Sequence, residues 1–254
     1  MHAAMPQLYQ ALGHPYLAEA VMPRSLIDWS DLTLERHWQL LRASLALSGR
    51  SLTRYEHVPP LARSNTPDVH AAFLRQLAAM LPLGCIPILV TDAGSRGSWF
   101  HLVNRLGRYW AGRIHNRDMT RPAGQPARVG WKTLYAQRMQ IEESFWNLKS
   151  ERFGLGRWVS CSRSKQRIGV LLLTAAIASC LLRLAGEAAR ASHLERPYQS
   201  GTRKVRVVLS VITLARQLVR KPAVIFTCVT LHAALRYMQQ YSAKPPDLRG
   251  NLKL

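Results

Sequence analysis

Acidic residues are scarce in this chain. It contains 14 Asp and Glu against 35 Lys and Arg, so its formal net charge is +21 at pH 7. This balance is typical of proteins that bind a polyanion, most often nucleic acid and less often an anionic membrane surface. Most of the cations are arginines, whose planar guanidinium groups bind phosphate better than lysine does. Because carboxylates are so few, each of them is a candidate functional group.

Cysteine is also sparse, and the common phosphate-binding loop is missing. No two of Cys85, Cys161, Cys180 and Cys228 are two to four residues apart, which excludes a zinc knuckle and a dense disulfide framework. So few and so widely spaced cysteines are typical of a protein in the reducing cytoplasm. The sequence has no "GxxxxGK[ST]" pattern, so ATP-driven work is not expected.

Long hydrophobic runs and targeting signals are likewise absent. The first residues lack a basic segment followed by an apolar one, so no signal peptide is predicted. The longest apolar run, "GVLLLTAAIASCLL" at 169–182, is too short to cross a bilayer core of about 30 Å. We therefore expect a buried helix there and no membrane span.

The apolar periodicity predicts an α/β protein. Strands are expected at 25–32, 37–47, 50–58, 86–90 and 108–115, and helices at 69–81, 98–107 and 135–149. The order β-β-β-α-β-α-β-α favours a ribonuclease-H-like mixed sheet of the retroviral-integrase type over a doubly wound parallel one. Three further helices near 166–188, 204–220 and 222–240 predict a C-terminal helical region, which we bound at 157–254.

One polar stripe marks the helix predicted at 135–149. Tyr135, Arg138, Glu142 and Lys149 fall within about one sixth of its circumference at 100° per residue. A solvated face with an Arg138–Glu142 surface pair is one interpretation. Met139, Ile141, Phe145, Trp146 and Leu148 are spread around the rest, so most of the helix is expected to be buried. A polar stripe on a buried helix favours a site.

Three carboxylates are expected at one edge of this sheet. Asp28 lies on the first strand, Asp92 just after the fourth, and Glu142 on the late helix. Oxygen ligands of this kind bind Mg²⁺ or Mn²⁺, and a pair of such ions can activate water and stabilise the leaving oxygen of a phosphodiester. Alternatively, Asp28 and Asp92 could shape a turn or cap a helix. Asp31 points to the opposite face from Asp28 by strand alternation.

A family resemblance bears on these alternatives. The pattern "Y-x2-R-x3-E-x6-K" formed by Tyr135, Arg138, Glu142 and Lys149 resembles the signature of the insertion sequence 4 family of DDE transposases. The segment "YAQRMQIEESFWNLKSERFGLG" is similar to the cut-and-paste branch that includes the enzyme of the tetracycline-resistance transposon. "DWSDL" and "ILVTDAGSRGSWF" resemble the first and second acidic motifs of that branch. The similarity covers most of residues 24–156, the expected catalytic domain.

The resemblance implies a bacterial, nucleoid-associated DNA transposase. Asp28, Asp92 and Glu142 would hold two Mg²⁺ or Mn²⁺ ions and form the catalytic set. Water would attack at the transposon end, and the freed 3′ hydroxyl would then form a hairpin that is opened and joined to target DNA. Tyr135, Arg138 and Lys149 would contact DNA phosphates. Inverted-repeat ends, target DNA and a second copy of the chain, in a homodimer, are the implied partners.

Two departures from the family pattern stand out. Only a short segment, 1–23, precedes the first acidic motif, and the large β insertion of the family is missing near 116–131. The connector carries a basic tract, including Arg128 and Lys132, that would suit DNA phosphates. We interpret the chain as an internally deleted or shortened copy. A DNA-binding remnant without catalysis, and a ribonuclease-H-like nuclease without strand transfer, remain as alternatives.

Overall fold

Five β-strands form one mixed sheet in the computed structural model of the chain. The structure describes residues 4–32, 37–92, 97–112, 131–150, 162, 164–198, 209–221 and 226–244. The strands are β1 Arg24–Asp31, β2 Gln39–Ala46, β3 Ser51–His57, β4 Ile88–Thr91 and β5 Tyr109–Gly112. They lie in the order β3-β2-β1-β4-β5. Strand β1 is therefore central, antiparallel to β2 and parallel to β4.

Helices cover both faces of this sheet. They are α1 Met5–Gly13, α2 Pro67–Ala79, α3 Gly97–Arg105, α4 Trp131–Ala136, α5 Met139–Lys149, α6 Lys165–Ala191, α7 Val211–Val219 and α8 Cys228–Ala243. Side chains alternate along a strand, so β1 supplies both cores. Ile27 packs on the face covered by α2 and α3, through Phe73 and Trp99. Leu26 packs on the opposite face with Ile141 of α5 and Leu172 of α6.

This architecture confirms the predicted mixed α/β sheet with a helical C-terminal region. Local sequence signals set several of the boundaries. Pro67 opens α2 directly after the extended residue Thr66, because proline is suited to the first helical turn. Gly107 follows α3 with a φ of +64°, which a residue without Cβ adopts at little cost. Ser210 begins α7 by accepting a hydrogen bond from the backbone N–H of Thr213 at 3.2 Å.

Two helix predictions need correction. The helix expected over 135–149 is two helices, because α4 ends at Ala136 and α5 starts at Met139. Between them, Arg138 N–H donates to the Tyr135 carbonyl at 2.9 Å, three residues back, so the chain tightens there into a 3₁₀-like turn. The helix expected from about 204 begins at Val211. Residues 201–208 and 222–225 lie outside the described residues.

The N-terminal segment contributes a helix that the sequence analysis did not predict. Helix α1 packs against β3, the outer strand of the sheet, and its Tyr9 is buried with an exposed fraction of 2%. Residues 1–23 were expected only as a short segment before the first acidic motif, whereas in the structure their helix belongs to the main core.

Helix α6 is the longest element and contains the apolar run at 169–182, but it extends over 27 residues, so the expectation that this run is too short to span a membrane was wrong. Its length and mean hydropathy of 2.2 would allow it to span a membrane, and 39% of that apolar window is buried inside the protein. Ile168, Leu172 and Ala175 pack on the sheet, while Cys180 packs with Tyr16 and Met238. Leu171, Ile177 and Leu181 remain exposed on its outer side. One face of α6 therefore belongs to the protein core.

Gly186→Ala is expected to destabilise the contact between α6 and α7. A Cβ at Gly186 would lie 2.2 Å from the carbonyl oxygen of Val211, and backbone cannot move aside as a side chain can. Overpacking of this kind lowers the free energy of unfolding by about 2–3 kcal/mol, which urea denaturation would measure.

Gly169→Ala on the same helix is the matched control. Its Cβ would meet only the flexible end of Met5 at 3.4 Å. Alanine is the better helix former, so this variant should equal the wild type or exceed it by up to about 1 kcal/mol. Equal stabilities for the two variants would contradict the close packing at Gly186.

Candidate active site

The predicted carboxylates lie around the C-terminal end of the parallel strands β1 and β4. Asp28 is on β1 with an exposed fraction of 8%, and the half-buried Asp92 directly follows β4. Glu142 is in the first turn of α5, which packs against β1. Ligands commonly bind at the carboxyl ends of parallel strands, where the loops diverge. The topology thus brings all three predicted residues to one edge of the sheet.

Arg138 links two of these carboxylates. Its Nη1 lies 3.1 Å from Asp28 Oδ2, and its Nη2 lies 2.5 Å from Glu142 Oε1. The guanidinium carbon also lies 5.5 Å from the centre of the Tyr135 ring. Arg138 lies in the tight turn directly before α5. Three of the four stripe residues therefore share one cluster, although they do not share one helix.

The charges at this edge are closely coupled. The pKa of Asp28 is raised to about 6, first by burial and then by the negative charge of Asp92. The Trp29 N–H, which donates to Asp28 Oδ1 at 2.8 Å, and Arg138 act in the opposite direction. Asp92 must lie near Asp28 to have this effect, since Coulomb interactions weaken with distance. A buried carboxylate beside a second one is a place that favours a cation.

The site offers oxygen ligands of the type that divalent metal ions bind, although among the described residues they are not gathered around one point. Asp28 and Asp92 are hard oxygen ligands of the kind that Mg²⁺ and Mn²⁺ bind, and Glu142 is joined to Asp28 through Arg138. Within the described ranges, no three His, Cys, Asp or Glu side chains are gathered closely enough to hold a metal ion. Arg138 supplies the positive charge between Asp28 and Glu142 in this arrangement.

The remaining predicted contacts lie elsewhere or outside the described residues. Lys149 ends α5, and its pKa is lowered by burial while the charge of Asp31 raises it. It is therefore placed towards Asp31, whose Oδ1 accepts a hydrogen bond from Gln39. Arg128 and most of the basic connector lie outside the described residues, as does the side chain of Lys132.

Two apolar residues of α5 are not buried as predicted. Met139 and Trp146 have exposed fractions of 53% and 58%. Helix α5 packs on the sheet through Ile141, Phe145 and Leu148 only along one side. A single helix lying on a sheet buries one stripe, so apolar residues off that stripe remain at the surface.

A buried network that the sequence analysis missed holds α5 against the sheet. Arg42 on β2 lies directly opposite Asp28 in the strand register. Its Nε and Nη2 donate to Glu56 Oε1 at 2.8 and 2.5 Å, and its Nη1 donates to Ser144 Oγ at 3.0 Å. Tyr9 donates to Glu56 Oε2 at 2.5 Å. An arginine within the apolar strand "QLLRASLA" was the signal that could have indicated such a network.

A second link fixes the beginning of α5. The Gln140 side chain donates to the Leu47 carbonyl at 2.9 Å and accepts from the Leu47 N–H at 3.3 Å. Ser51 Oγ donates to the Gln140 carbonyl at 3.2 Å. These bonds join α5 to the turn between β2 and β3. The helix that carries Glu142 is therefore positioned by polar contacts at its start and by Arg42 further along.

His70 of α2 packs against Trp29, the residue that follows Asp28 on β1. The imidazole lies 5.8 Å from the Trp29 ring and 4.9 Å from the Trp99 ring, measured between ring centres, and has an exposed fraction of 3%. Burial lowers the pKa of His70 to about 4. The side chain is therefore a neutral packing residue at pH 7.

Acid is expected to destabilise the fold through His70. The folded state holds this imidazole neutral until about pH 4, while the unfolded chain takes up a proton below about pH 6.5. Stability is therefore lost as pH falls from about 6.5 to 4, with a loss of about 1–2 kcal/mol at pH 5. Urea unfolding of wild type and His70→Phe at pH 7.5 and pH 5 would measure it. An equal loss in both proteins would contradict the assignment.

The fold and the site together define a class of protein. A mixed sheet with a central β1, flanked by antiparallel β2 and parallel β4, with acidic residues after β4 and on a covering helix, has the ribonuclease-H-like architecture. A family model described as transposase DDE domain matches residues 20–181, which is more than half of the chain. The chain belongs to this family and is an enzyme of the transposase and nuclease type that acts on DNA. No curated protein matches it.

Proposed function

We propose that the chain is a DNA transposase of the insertion sequence 4 family, in its cut-and-paste branch. Asp28, Asp92 and Glu142 are its proposed catalytic carboxylates. The observation that carries the proposal is the coupled cluster of Asp28, Asp92, Arg138 and Glu142 at one edge of the sheet. The strongly positive net charge of +21 supports a polyanionic substrate.

Asp28, Asp92 and Glu142 would also hold the divalent ions of the family, with two ions of Mg²⁺ or Mn²⁺ expected. When bound, such ions supply Lewis-acid activation of the attacking oxygen and neutralise charge on the leaving oxygen. The protein's own contribution is to hold the carboxylate oxygens in position. Asp28 is held by the Trp29 N–H, and Glu142 is carried by a helix fixed through Gln140 and Arg42. Positioning of this kind is the main protein contribution to phosphoryl transfer.

We propose that Arg138 exchanges its carboxylate partners for a DNA phosphate when DNA binds. In the described state it pairs with Asp28 and Glu142, and in the DNA complex we propose that its guanidinium binds a phosphate beside the scissile bond. Tyr135, which lies under the guanidinium, and Lys149 at the end of α5 would contact the same strand. Arg128 and Lys132 would extend this contact along the connector. The positive groups would thus orient the DNA over the carboxylates.

The proposed reaction has two kinds of step. Water attacks the phosphodiester at the transposon end and releases a 3′ hydroxyl. That hydroxyl then attacks a phosphodiester of the opposite strand and displaces its leaving oxygen, which forms a hairpin. A second water molecule hydrolyses the hairpin and frees the 3′ hydroxyl again, and this hydroxyl displaces an oxygen of the target DNA and is joined to it. Each step exchanges one P–O bond for another and needs no energy source beyond the DNA itself. A homodimer would hold the two ends together.

A second candidate is a DNA-binding remnant that no longer catalyses. The observation that favours it is the closed arrangement around Arg138, which takes the position between Asp28 and Glu142. Such a protein would occupy transposon ends and block active copies. Its DNA binding would weaken steeply with salt, because binding would rest on phosphate contacts.

The test is a plasmid assay with the full chain. A supercoiled plasmid carrying the element's own inverted-repeat ends is incubated with protein and Mg²⁺ or Mn²⁺, and the products are mapped to the nucleotide. Cuts at the ends followed by joined products support the transposase. Cuts without joined products would identify a nuclease that lacks strand transfer. Salt-sensitive DNA binding with no cuts would overturn the enzyme proposal and support the remnant.

A further inference from the structure

Arg138 occupies the position between two of the proposed metal ligands, Asp28 and Glu142. Its Nη1 lies 3.1 Å from Asp28 Oδ2 and its Nη2 lies 2.5 Å from Glu142 Oε1, so one guanidinium contacts both carboxylates. The other oxygen of Asp28, Oδ1, accepts a hydrogen bond from the Trp29 N–H at 2.8 Å. Both oxygens of Asp28 are therefore already engaged by donors of the protein itself. We call this state the closed arrangement.

The pair of Asp28 and Arg138 is the better shielded half of the closed arrangement. Both of its side chains are largely removed from solvent, whereas Glu142 is more exposed. Water and salt screen a shielded ion pair less than an exposed one, so the contact with Asp28 is the more persistent of the two. The guanidinium is also planar and rigid, which lets it contact two carboxylates at once. A cation of the protein is thus held where a metal ion would bind.

One donor of the same guanidinium is left unsatisfied. Arg138 Nε is buried and has no hydrogen-bond partner among the residues that the structure describes. A buried donor without an acceptor lowers the stability of the state that contains it. A phosphate can accept hydrogen bonds from two nitrogens of one guanidinium, so it can supply what the two carboxylates do not. The closed arrangement is therefore held by ion pairs that a phosphate can replace.

Arg138 and a metal ion compete for the same carboxylates. A divalent ion bound to Asp28 and Glu142 would lie next to the guanidinium, and like charges repel strongly where water is largely excluded. The described ranges accordingly hold no group of three acidic, His or Cys side chains arranged for a metal ion. The guanidinium therefore has to leave before the ion can bind.

We propose that Arg138 blocks metal binding at Asp28 and Glu142 until a DNA phosphate takes the place of the two carboxylates on its guanidinium. DNA and the metal ion then bind cooperatively, and each raises the affinity for the other by the same factor. If the open state makes up about 1–10% of the protein without DNA, the apparent metal affinity is lowered about 10–100-fold. This inference rests on the proposed function, because it takes Asp28 and Glu142 as metal ligands, and it adds an order of binding.

The first experiment measures binding of Mn²⁺ to the full chain without DNA. The EPR signal of free Mn²⁺ gives the bound fraction, and no cutting of DNA enters the measurement. Arg138→Met removes the guanidinium and keeps an apolar stem, so it should bind Mn²⁺ about 10–100-fold more tightly than the wild type. Equal Mn²⁺ affinities in the two proteins would overturn the proposal.

Two further variants test whether the gain comes from the closed arrangement. Arg50→Met removes the same charge from an ion pair with Glu143, the neighbour of Glu142 on α5, and should change the Mn²⁺ affinity by less than about threefold. A gain as large as that of Arg138→Met would be an effect of net charge and would contradict the proposal. Arg138→Gln removes the charge but keeps a donor for Asp28, and it replaces Arg138→Met in every comparison if that variant does not fold.

The second experiment adds DNA to the same measurement. An excess of duplex carrying the element's inverted-repeat end should raise the Mn²⁺ affinity of the wild type about 10–100-fold, after subtraction of the Mn²⁺ that DNA binds alone. The duplex should raise the affinity of Arg138→Met much less, because the blocking guanidinium is already gone. An equal rise in both proteins would mean that DNA acts on the metal site without Arg138, and the proposal would fail.

Asp28→Asn separates this proposal from the proposed function. When it is combined with Arg138→Met, the gain in Mn²⁺ affinity should disappear. If tight binding persists in the combined variant, Mn²⁺ binds elsewhere, and Asp28 loses its role as a metal ligand together with the block by Arg138. If the wild type already binds Mn²⁺ as tightly as Arg138→Met and both lose the ion with Asp28→Asn, only the block by Arg138 fails and the proposed metal ligand stands.

Discussion

Glu142→Gln is expected to lower metal-dependent cutting of transposon-end DNA by at least about 10³-fold. The substitution removes a proposed metal ligand and the carboxylate that pairs with Arg138 at 2.5 Å, while the size of the side chain hardly changes. A loss of about 4 kcal/mol of transition-state stabilisation corresponds to this factor. The rate of plasmid nicking in Mg²⁺ at matched protein concentration measures it. DNA binding, followed by a mobility shift, should remain.

Glu143→Gln is the matched control for this prediction. Glu143 is the next residue on α5, but its Oε2 pairs with Arg50 at 2.8 Å and it is half exposed. Removing it changes the net charge by the same amount and should alter the nicking rate by less than about threefold, since an exposed ion pair contributes little. Similar losses in both variants would mean that α5 acts through its overall charge, and the role of Glu142 would be withdrawn.

Glu56→Leu is expected to lower the free energy of unfolding by about 3–5 kcal/mol. Glu56 accepts hydrogen bonds from Arg42 and Tyr9, and the Arg42 and Glu56 side chains have exposed fractions of 4% and 1%. Its loss leaves a buried guanidinium without a countercharge and a buried phenol without an acceptor. Burial and Glu56 raise the pKa of Tyr9, so the phenol stays protonated and has to find another acceptor. Urea unfolding, monitored by tryptophan fluorescence, measures the change.

A double-mutant cycle separates charge burial from lost packing. In Arg42→Leu with Glu56→Leu, the unpaired charge is gone, so most of the stability should return. Adding Tyr9→Phe removes the remaining unsatisfied hydroxyl and should recover more. If the double variant is as unstable as the sum of the two single ones, then Arg42 and Glu56 contribute independently and the network interpretation fails.

Periodicity was sufficient to predict the layers of the fold. The adjacent apolar residues Leu26 and Ile27 of β1 and the compact apolar run of β4 reflect burial on both faces of the sheet. The break at Gln137 and Arg138 could not be predicted in this way. No proline or glycine marks it, and the ion pairs of Arg138 with Asp28 and Glu142 form only after the sheet is assembled. Helix α1 was missed for a similar reason, since its burial depends on the edge of β3.

The location of a candidate site residue was predictable where the residue lies on a predicted strand or directly after one. Asp28 and Asp92 were placed by the strands that carry them, and the parallel pairing of β1 with β4 brings them together. Arg42 and Gln140 were not predictable, because their partners are distant in sequence and are chosen by strand register and helix docking. Arg138 was predicted as a DNA contact from the family resemblance. That role stays a prediction, and its present partners are the two carboxylates.

Helix α6 shows that the family boundary and the folding boundary differ. The family match ends at residue 181, inside a helix that continues to Ala191. Two residues beyond the match, Arg183 closes the β2–β3 turn through the Ser48 and Arg50 carbonyls, and Gly186 admits the start of α7. The C-terminal helices therefore cannot come apart without loosening the hairpin opposite Asp28. A fragment that ends at residue 181 would lack Arg183, and with it the hydrogen bonds that hold the β2–β3 turn of the sheet.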